Sequence, residues 1–409
     1  MSDVTAGAMA PEGTTMRILY VTGMWSALES VLAGRSAEPT GMPAFFTPLF
    51  ELASRGHRVV LLVGFEHCIP LERPKSWPEN ITVQRFRWRK RTALGAIDAM
   101  SLLMRLIKDV RRQDVDFVYG QGPLGTIACV AARLRHVPSG QRLYGTFLAN
   151  ELKRRGKVEA MVRHPLEYFA FRIRKGFLLV TNDGTRADVA YKEIGAHGRY
   201  AFHFKLNGRQ EQVKATKARS AQEGVYLYYP ARIAPWKRQH LAVETLHELR
   251  RLGHKDVRLL LAGEVTDPVY LDHVNRLVGD RGLREHVEFL GALPWSENQQ
   301  YTCSSFCMLS MYEVSNLGNS LIEAMALGSI VVSMNDGSLA EVIQDGENGV
   351  LVETPQEAAG RIDELLRDPF EASQIRDAAL RSARERFPTW ETRASWEADL
   401  VERAVAEVR

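Results

Sequence analysis

The sequence predicts two doubly wound α/β domains that face each other across a cleft. Short apolar runs alternate with stretches of helical periodicity, this alternation starts again in the second half of the chain, and a polar segment separates the halves. The chain has 409 residues, of which 45% are hydrophobic and 25% are charged. This balance is typical of an enzyme with two or three domains and excludes a disordered or collagen-like chain.

The first half begins with the apolar run 17–21, which predicts a buried parallel strand that ends at Thr22-Gly23. Helical spacing from Phe45 to Ser54, a stop at Arg55-Gly56-His57 and a second apolar run at 59–63 complete a strand-helix-strand unit. The same reasoning predicts the later elements of this half, which are helix 97–112, strand 117–119, helix 126–134 and strand 142–144.

The second half repeats this order of elements. Its predicted strands are 225–229, 257–261, 287–290, 306–310 and 330–333, and its predicted helices include 239–252, 269–280 and 319–327. Residues 209–221 are polar and follow an Asn207-Gly208 turn, which is typical of a linker. We therefore predict a lead-in at 1–15, a first domain at 16–208, a linker at 209–221, a second domain at 222–385 and a final helix at 386–409.

The cysteines and the N-terminal residues favour a cytoplasmic protein. Four cysteines in so long a chain predict no disulfide framework, and the spacing of Cys303 and Cys307 lacks the second pair of ligands that structural zinc needs. No run of about 18 apolar residues occurs, and residues 1–15 have neither the basic start nor the apolar core of a signal peptide. We expect no metal and no bound cofactor.

Charge is distributed unevenly between the halves. Residues 16–215 hold 32 Lys and Arg against 17 Asp and Glu, for a net +15, whereas residues 216–409 have a net charge of −9. A basic half indicates an anionic partner such as a membrane surface, and the basic and apolar stretch 153–175 is suited to an anionic bilayer. The alternative is a solvated basic surface. Nucleic acid is disfavoured because no nucleic-acid-binding motif accompanies the charge.

Two blocks in the second half contain residues suited to a phosphorylated ligand. Arg232 follows a predicted strand, and Lys237 comes five residues later at a helix start, so that a guanidinium, an ammonium and free amides are positioned to hold a diphosphate. In the other block, Gly318 opens a helix, and the Glu323 carboxylate is placed to accept the hydroxyls of a ribose. Neither a G-x-G-x-x-G fingerprint nor a Walker P-loop is present.

The second half contains a series of motifs in a fixed order, namely Ala231-Arg232 with Lys237, Leu261-Ala262-Gly263, Glu288-Phe289-Leu290-Gly291, residues 321–328 and residues 345–352. In this succession the chain strongly resembles the family 4 retaining glycosyltransferases, which have the GT-B fold. The resemblance is weaker in the first half, at residues 55–59 and at Asn207-Gly208. Trp390 fits a final helix that in this fold crosses back to the first domain.

The resemblance implies a metal-independent transfer of a sugar from a nucleotide-diphosphate donor, with retention at the anomeric carbon. Arg232 and Lys237 are implied to stabilise the leaving diphosphate, and Glu323 is implied to bind the ribose. The remaining residues implied on the donor side are Ser315, Leu317, Gly318, Asn319, Gly263 and Gly291, and those on the acceptor side are Gly23, Gly41 and Thr146.

The chain departs from the family pattern at two places. The family commonly has two glutamates eight positions apart, but Ser315 stands eight residues before Glu323, and the acid Glu313 lies two residues earlier. Either Glu313 reaches the sugar as a catalytic residue, or Ser315, Asn316 and the backbone contact the sugar hydroxyls. Many members also have a histidine where this chain has Gly145-Thr146-Phe147, and the nearest later one, His164, is expected on an exposed helix.

These observations predict a UDP- or GDP-sugar-dependent enzyme of cell-surface polysaccharide, lipopolysaccharide or glycolipid synthesis, located in the cytoplasm or on the inner face of the membrane. Its partners would be the nucleotide-sugar donor and a glycan or lipid-linked acceptor. Two alternatives remain: a soluble natural product as the acceptor, or a nucleotide-sugar-binding protein without turnover.

Overall fold

The computed structural model describes residues 15–36, 42–66, 72–89, 93–211 and 224–408. Within these ranges the chain forms two parallel sheets, one of seven strands and one of six. Gly41, residues 1–14 of the predicted lead-in and residues 212–221 of the predicted linker lie outside the described residues.

The first sheet has the strand order β3-β2-β1-β4-β5-β6-β7, and neighbouring strands are parallel. Its strands are β1 (Arg17–Gly23), β2 (Arg58–Phe65), β3 (Ile81–Arg87), β4 (Phe117–Gln121), β5 (Ser139–Leu143), β6 (Phe177–Thr181) and β7 (Ala201–Lys205). The helices between them are α1 (Ser26–Leu32), α2 (Pro43–Ser54), α3 (Ala93–Arg112), α4 (Gly125–Leu134), α5 (Leu148–Arg163), α6 (Pro165–Ala170) and α7 (Ala187–Ile194).

The second sheet has the order β10-β9-β8-β11-β12-β13 and is also parallel. Its strands are β8 (Tyr226–Pro230), β9 (Arg258–Ala262), β10 (Val287–Gly291), β11 (Cys307–Ser310), β12 (Ile330–Met334) and β13 (Val350–Val352). The helices are α8 (Gln239–Arg251), α9 (Pro268–Asp280), α10 (Trp295–Ser304), α11 (Asn319–Ala326), α12 (Pro355–Arg367), α13 (Pro369–Arg386) and α14 (Trp390–Ala406).

Both faces of each sheet are buried, which explains the unbroken apolar runs of the strands. In β1, Ile18 and Tyr20 pack into one hydrophobic cluster, while Leu19 and Val21 pack into a separate one on the other face. Strands that are covered by helices on both faces have no polar face, so their sequences are continuously apolar rather than alternating.

The predicted strand 142–144 is the one element whose position was clearly wrong, because β5 spans Ser139–Leu143. Its sequence, Ser-Gly-Gln-Arg-Leu, is polar, yet all five residues are buried. Gln141 donates to the carbonyl of Gly122 and to Thr126 Oγ1, and Arg142 pairs with Glu397. Glu397 supplies the counter-charge for Arg142, whose Nε and Nη2 have no hydrogen-bond partner among the described residues.

The C-terminal helix α14 crosses back to the first domain, as predicted. Its Ala398 and Val401 belong to the hydrophobic cluster of β1 and α2. Glu397, which is fully buried, accepts hydrogen bonds from Tyr119 and Arg142 of the first sheet and pairs with Arg393 Nη1 at 3.3 Å. A buried carboxylate is tolerated only with such partners, so this cluster holds α14 in one position.

The two chain segments that connect the domains run side by side. The amide of Arg209 donates to Pro388 O at 2.8 Å, and the amide of Trp390 donates to Arg209 O at 3.0 Å. A Cβ at Gly208 would lie 2.8 Å from the Trp390 ring, so only glycine allows this packing. No helix in the described ranges is both long and apolar enough to span a bilayer.

Replacing Glu397 with Ala is expected to lower the free energy of unfolding by about 3–5 kcal/mol, because it leaves Arg142 buried without its counter-ion. Glu402→Ala is the matched control on the same helix. The Glu402 carboxylate is partly exposed and pairs with Arg55 and His57, so its removal should lower the free energy of unfolding by only about 1 kcal/mol. Urea denaturation of both variants measures the difference. Equal losses would show that the buried cluster does not anchor α14.

Candidate active site

A cleft of about 790 Å³ lies between the two domains. It is lined where the strands of both sheets end, which is the edge at which parallel α/β sheets bind ligands. The strand-end residues that line it are Thr22, Gly23, Gln121, Thr181, Pro230, Ala262 and Ser310. Each domain therefore contributes one wall.

Two cations from the second domain face this cleft. Arg232 follows β8, and its carbonyl accepts a hydrogen bond of 2.8 Å from the buried amide of Gln239. Lys237 ends a single 3₁₀ turn that begins at Pro235, a residue that lacks the N–H that the first turn leaves unpaired. The loop between β8 and α8 thus places both cations at the same end of the sheet.

Lys237 is a cation without an anion. Its Nζ lies 3.9 Å from the centroid of the Trp236 ring and 3.3 Å from that of Tyr312, and it forms no ion pair with any described residue. Burial lowers the pKa of the Lys237 ammonium well below its ordinary value, and the nearby Arg232 lowers it further, although Asp183 opposes the shift. A diphosphate would supply the missing negative charge.

Helix α11 points its N-terminus at the same space. Gly318 is its N-cap, and Gly318 and Asn319 both line the cleft. The first amides of a helix have no partner within the helix and present positive potential to an anion. Leu317, which the resemblance placed on the donor side, is buried in the core with Leu321 and is not among the described residues that line the cleft.

Glu323 lies on the second turn of α11 and lines the cleft, although it is only 5% exposed. Its Oε1 accepts a hydrogen bond of 2.9 Å from Trp295 Nε1. Burial raises the pKa of the Glu323 carboxyl to about 7, while the Trp295 bond acts in the opposite direction. One carboxylate oxygen remains for a ligand, which suits a hydroxyl donor.

Three of the predicted glycines lie at or near the cleft. Gly23, at the end of β1, and Gly263, after β9, both line it. A Cβ at Gly263 would be 2.1 Å from the carbonyl oxygen of Ala231, so the loop that carries Arg232 packs directly on this residue. Gly291 ends β10 with a φ of 69° and accepts a hydrogen bond from the Gly263 amide at 2.7 Å, so it supports the cleft from behind.

Glu313 and Ser315, the two alternatives left by the sequence, are placed differently. The Glu313 side chain is 59% exposed, contacts Arg238 at 3.7 Å and does not line the described cleft. Ser315 lines the cleft with a left-handed φ of 68°. The Asn316 side chain is used within its own loop, because its Oδ1 accepts from Ser310 and its Nδ2 donates to Tyr312 O.

Thr146 and His164 do not reach the cleft either. The Thr146 hydroxyl is buried and donates to Glu167, and its oxygen accepts from the Leu148 amide at 3.1 Å. His164 is the residue at which α5 ends and α6 begins. Neither side chain is among the described residues that line the cleft.

Contacts between the domains close the cleft, and the sequence did not predict them. Asp183, after β6, accepts a hydrogen bond of 3.1 Å from Ser315 Oγ. Asn207 Nδ2 donates to Asn319 Oδ1, and Ser26 Oγ donates to Glu264 Oε2 at 2.6 Å. The sequence did not predict Asp183 as a site residue; the signal that could have found it is its position in an Asn-Asp-Gly turn directly after a strand.

A family model matches the second domain. Residues 210–383 match the family described as Glycosyl transferases group 1. This match covers most of the second domain. The glycosyl transferases group 1 segment contains Arg232, Lys237 and all of α11.

Curated relatives are similar over about half of their own length. A GDP-mannose-dependent alpha-(1-6)-phosphatidylinositol monomannoside mannosyltransferase of Mycolicibacterium smegmatis is 29% identical over 180 residues, which are 42% of this chain and 46% of the relative. Spore coat protein SA of Bacillus subtilis is 26% identical over 219 residues, 51% of this chain and 50% of the relative.

Solved structures match nearly the whole chain. Alr3699/HepE of Anabaena, in complex with UDP and glucose, has a TM-score of 0.68 at 18% identity and covers 94% of this chain and 99% of its own. Sucrose-phosphate synthase of Thermosynechococcus elongatus has a TM-score of 0.71 at 17% identity and covers 96% and 100%. The chain has the GT-B fold, as predicted.

Replacing Glu323 with Gln is expected to stabilise the fold above neutral pH. The carboxyl is neutral in both folded and unfolded states below pH 4.5, and its raised folded pKa of about 7 makes ionisation unfavourable to the fold as the pH rises through that value. The variant should therefore be more stable by roughly 1–3 kcal/mol at pH 8, and by less at pH 5.5. Urea denaturation at both pH values measures this.

The exposed Glu347→Gln is the matched control and is expected to leave stability unchanged at both pH values. An equal gain for Glu323→Gln at pH 5.5 and pH 8 would contradict the assignment of a buried, ionisable carboxyl.

Proposed function

We propose that the protein is a retaining, metal-independent glycosyltransferase that transfers a sugar from a UDP- or GDP-sugar to an acceptor hydroxyl. The observation that carries this proposal is the uncompensated pair Arg232 and Lys237, which faces the N-terminus of α11 with Glu323 on the next turn. A nucleoside diphosphate has the charge and the ribose hydroxyls that these groups would bind.

The two cations would act mainly on the leaving group. As the bond between the anomeric carbon and the β-phosphate oxygen breaks, the electron pair moves onto that oxygen, and negative charge accumulates beside Arg232 and Lys237. Groups that are already oriented in a closed site stabilise developing charge more effectively than water does. They would take the role that a metal ion plays in other phosphate-leaving reactions.

Retention would follow from attack on the face that the diphosphate leaves. The acceptor oxygen forms its bond to the anomeric carbon while the phosphate oxygen takes the acceptor proton, so the step balances without a protein nucleophile. Glu323 would hold the ribose, and the amides at Gly318 and Asn319 would contact the diphosphate and sugar.

The names of similar proteins support the donor and acceptor classes. The mycolicibacterial relative is named as GDP-mannose-dependent, and the Anabaena structure contains UDP and glucose. A further structure with a TM-score of 0.66, WaaG, is described as a glycosyltransferase of lipopolysaccharide biosynthesis. We infer a cytoplasmic enzyme of cell-surface polysaccharide or glycolipid synthesis, with a glycan or lipid-linked acceptor.

A nucleotide-sugar-binding protein without turnover is the second candidate. Two observations favour it: Ser315 stands where the family commonly has a glutamate, and Thr146 is buried against Glu167. Slow hydrolysis of the donor in the absence of acceptor would separate a glycosyltransferase from a binding protein.

Arg232→Ala and Lys237→Ala are each expected to lower kcat/KM for donor hydrolysis by about 10²–10³-fold, because each removes a group that stabilises the leaving diphosphate. Hydrolysis of UDP- and GDP-sugars, measured with EDTA present, tests this and the independence of metal together. Lys255→Ala, an exposed cation of the same domain outside the cleft, is the control. Activity that disappears in EDTA would refute the metal-independent step.

A surface on the first domain supports a membrane-associated acceptor. Val158 and Val162, one turn apart on α5, are 74% and 69% exposed, and the exposed Lys153 and Arg154 precede them on the same helix. The helix is interrupted between these cations and the valines, because Gly156 has a φ of 77°. Apolar side chains with cations nearby in the chain fit the interface of an anionic bilayer. Arg155 and Arg163 are partly neutralised by Glu159, so the apolar contacts carry more of this argument than the charge does.

The double change Val158→Ser and Val162→Ser is expected to weaken binding to phosphatidylglycerol vesicles by at least about 10-fold, because each valine loses the free energy of burial in the interface. Val269→Ser with Phe370→Ser, which alters equally exposed apolar residues of the second domain, is the matched control and should bind as the unchanged protein does. Vesicle co-sedimentation measures both. Equal losses would argue against a defined surface.

A further inference from the structure

Asp183 is the one carboxylate that the described part of the first domain contributes to the cleft. It stands two residues after the end of β6, on the wall opposite Arg232 and Lys237. Its Oδ2 accepts a hydrogen bond of 3.1 Å from Ser315 Oγ of the second domain. Because the step of sugar transfer proposed above does not use this carboxylate, its role is open.

Asp336 of the second domain occupies a turn like that of Asp183, but the two carboxylates have different partners. Asp336 follows β12 in a matching Asn-Asp-Gly turn, and in each turn Oδ1 accepts from the amide and the hydroxyl two residues later, Thr185 or Ser338. In each case Oδ2 reaches the loop at 315–316. Asp336 Oδ2 is taken by the Asn316 amide at 3.0 Å, a fixed backbone donor.

The partner of Asp183 is exchangeable, in contrast to that of Asp336. Ser315 Oγ is a rotatable hydroxyl, and it can donate to a carboxylate or, once turned, accept from a ligand. Burial raises the pKa of the Asp183 carboxyl, while the hydrogen bonds from Thr185 and Ser315 favour its charged form. The pair therefore presents two adjacent oxygens, one on each wall of the cleft.

The neighbouring loop leaves space for this carboxylate. Gly145 has a φ of 109°, and a Cβ there would lie 2.2 Å from Asp183 Oδ2. The loop 145–147, which the sequence placed on the acceptor side, thus packs against Asp183 through a residue without a side chain. Phe147 of the same loop contacts Trp236, next to Lys237, with ring centroids 6.4 Å apart.

The position along the cleft indicates which part of the donor meets the pair. An α-helix rises about 1.5 Å per residue, so Glu323 lies roughly 7–8 Å along α11 from Gly318. If Glu323 binds the ribose and the helix start binds the diphosphate, Ser315, which precedes the helix start, lies on the far side of the diphosphate. The sugar is the part of a nucleotide-sugar that occupies this position.

We propose that Asp183 and Ser315 form a hydroxyl-binding pair that selects the sugar of the donor, so that the first domain takes part in recognising the donor. This inference rests on the proposed function. Asp183 accepts a hydrogen bond from a sugar hydroxyl, and Ser315 either supports the carboxylate or binds the adjacent hydroxyl.

The experiment compares Asp183→Asn with the unchanged protein, using the nucleotide that the unchanged protein binds. Asparagine keeps the size of the side chain and the acceptor oxygen for Thr185 but removes the charge. We expect the Kd for the bare nucleoside diphosphate to stay within about twofold and kcat/KM for the nucleotide-sugar to fall by about 10–100-fold, as for loss of a hydrogen bond to a charged group. Asp188→Asn, an exposed carboxylate paired with Arg186 outside the cleft, is the matched control.

Donors that lack one sugar hydroxyl at a time identify the contact. One deoxy donor should be a poor substrate for the unchanged protein but should suffer no further loss with Asp183→Asn, since the two changes remove the same hydrogen bond. Ser315→Ala provides a second variant on the other domain. In this variant, removing the same or the adjacent sugar hydroxyl from the donor should lower kcat/KM by less than it does in the unchanged protein.

Three results would overturn the inference while leaving the proposed function intact. They are deoxy penalties that are unchanged in both variants, a loss of nucleoside diphosphate affinity equal to the loss for the nucleotide-sugar, and a change confined to the KM of the acceptor. If the unchanged protein bound no nucleoside diphosphate at all, the proposed function itself would fail, and the inference with it.

Discussion

The shape of the cleft depends on the buried carboxylate of Glu397. This residue follows the second domain in the chain, but its side chain is buried in the first domain. Glu397 is on α14, after all the strands of the second domain, yet its partners Tyr119 and Arg142 are in the first sheet. Removing an ion from water is unfavourable unless its partners are in place, so the cluster holds α14 in one position on the first domain. The segments at Arg209 and Trp390 are hydrogen-bonded side by side, so the position of α14 also limits the orientation of the second domain relative to the first.

The site within this cleft holds groups whose charges are unfavourable while it lacks a ligand. Burial shifts the pKa of Lys237 downward and that of Glu323 upward, so both side chains move toward their neutral forms. A nucleoside diphosphate, as proposed above, would reverse both penalties, since its phosphates would favour the ammonium and its ribose hydroxyls would favour the carboxylate. The same burial would then make these groups selective for a ligand that carries both features.

The sequence predicts the fold and many of the second-domain residues that line the cleft because the signals there are local. Arg232 and Lys237 lie within one strand end and one turn, and Glu323 lies on the second turn of the helix that Gly318 caps. The sequence missed the first three residues of β5, Ser139 to Gln141, because they are not apolar and the groups that pair with buried Gln141 are brought to it by packing. Asp183 and Ser315 are 132 residues apart, and only the packing of the two domains brings them together.

The missing side chain at Gly145 links the sequences of two separate loops. Any larger residue there would occupy the space of the Asp183 carboxylate, because even a methyl group would lie 2.2 Å from its oxygen. The two positions are therefore expected to evolve together: a lineage that gains a side chain at the first must lose or redirect the acid at the second. A change of substrate in such a lineage would begin with a single codon for glycine, in a loop whose residues 145–147 do not line the cleft.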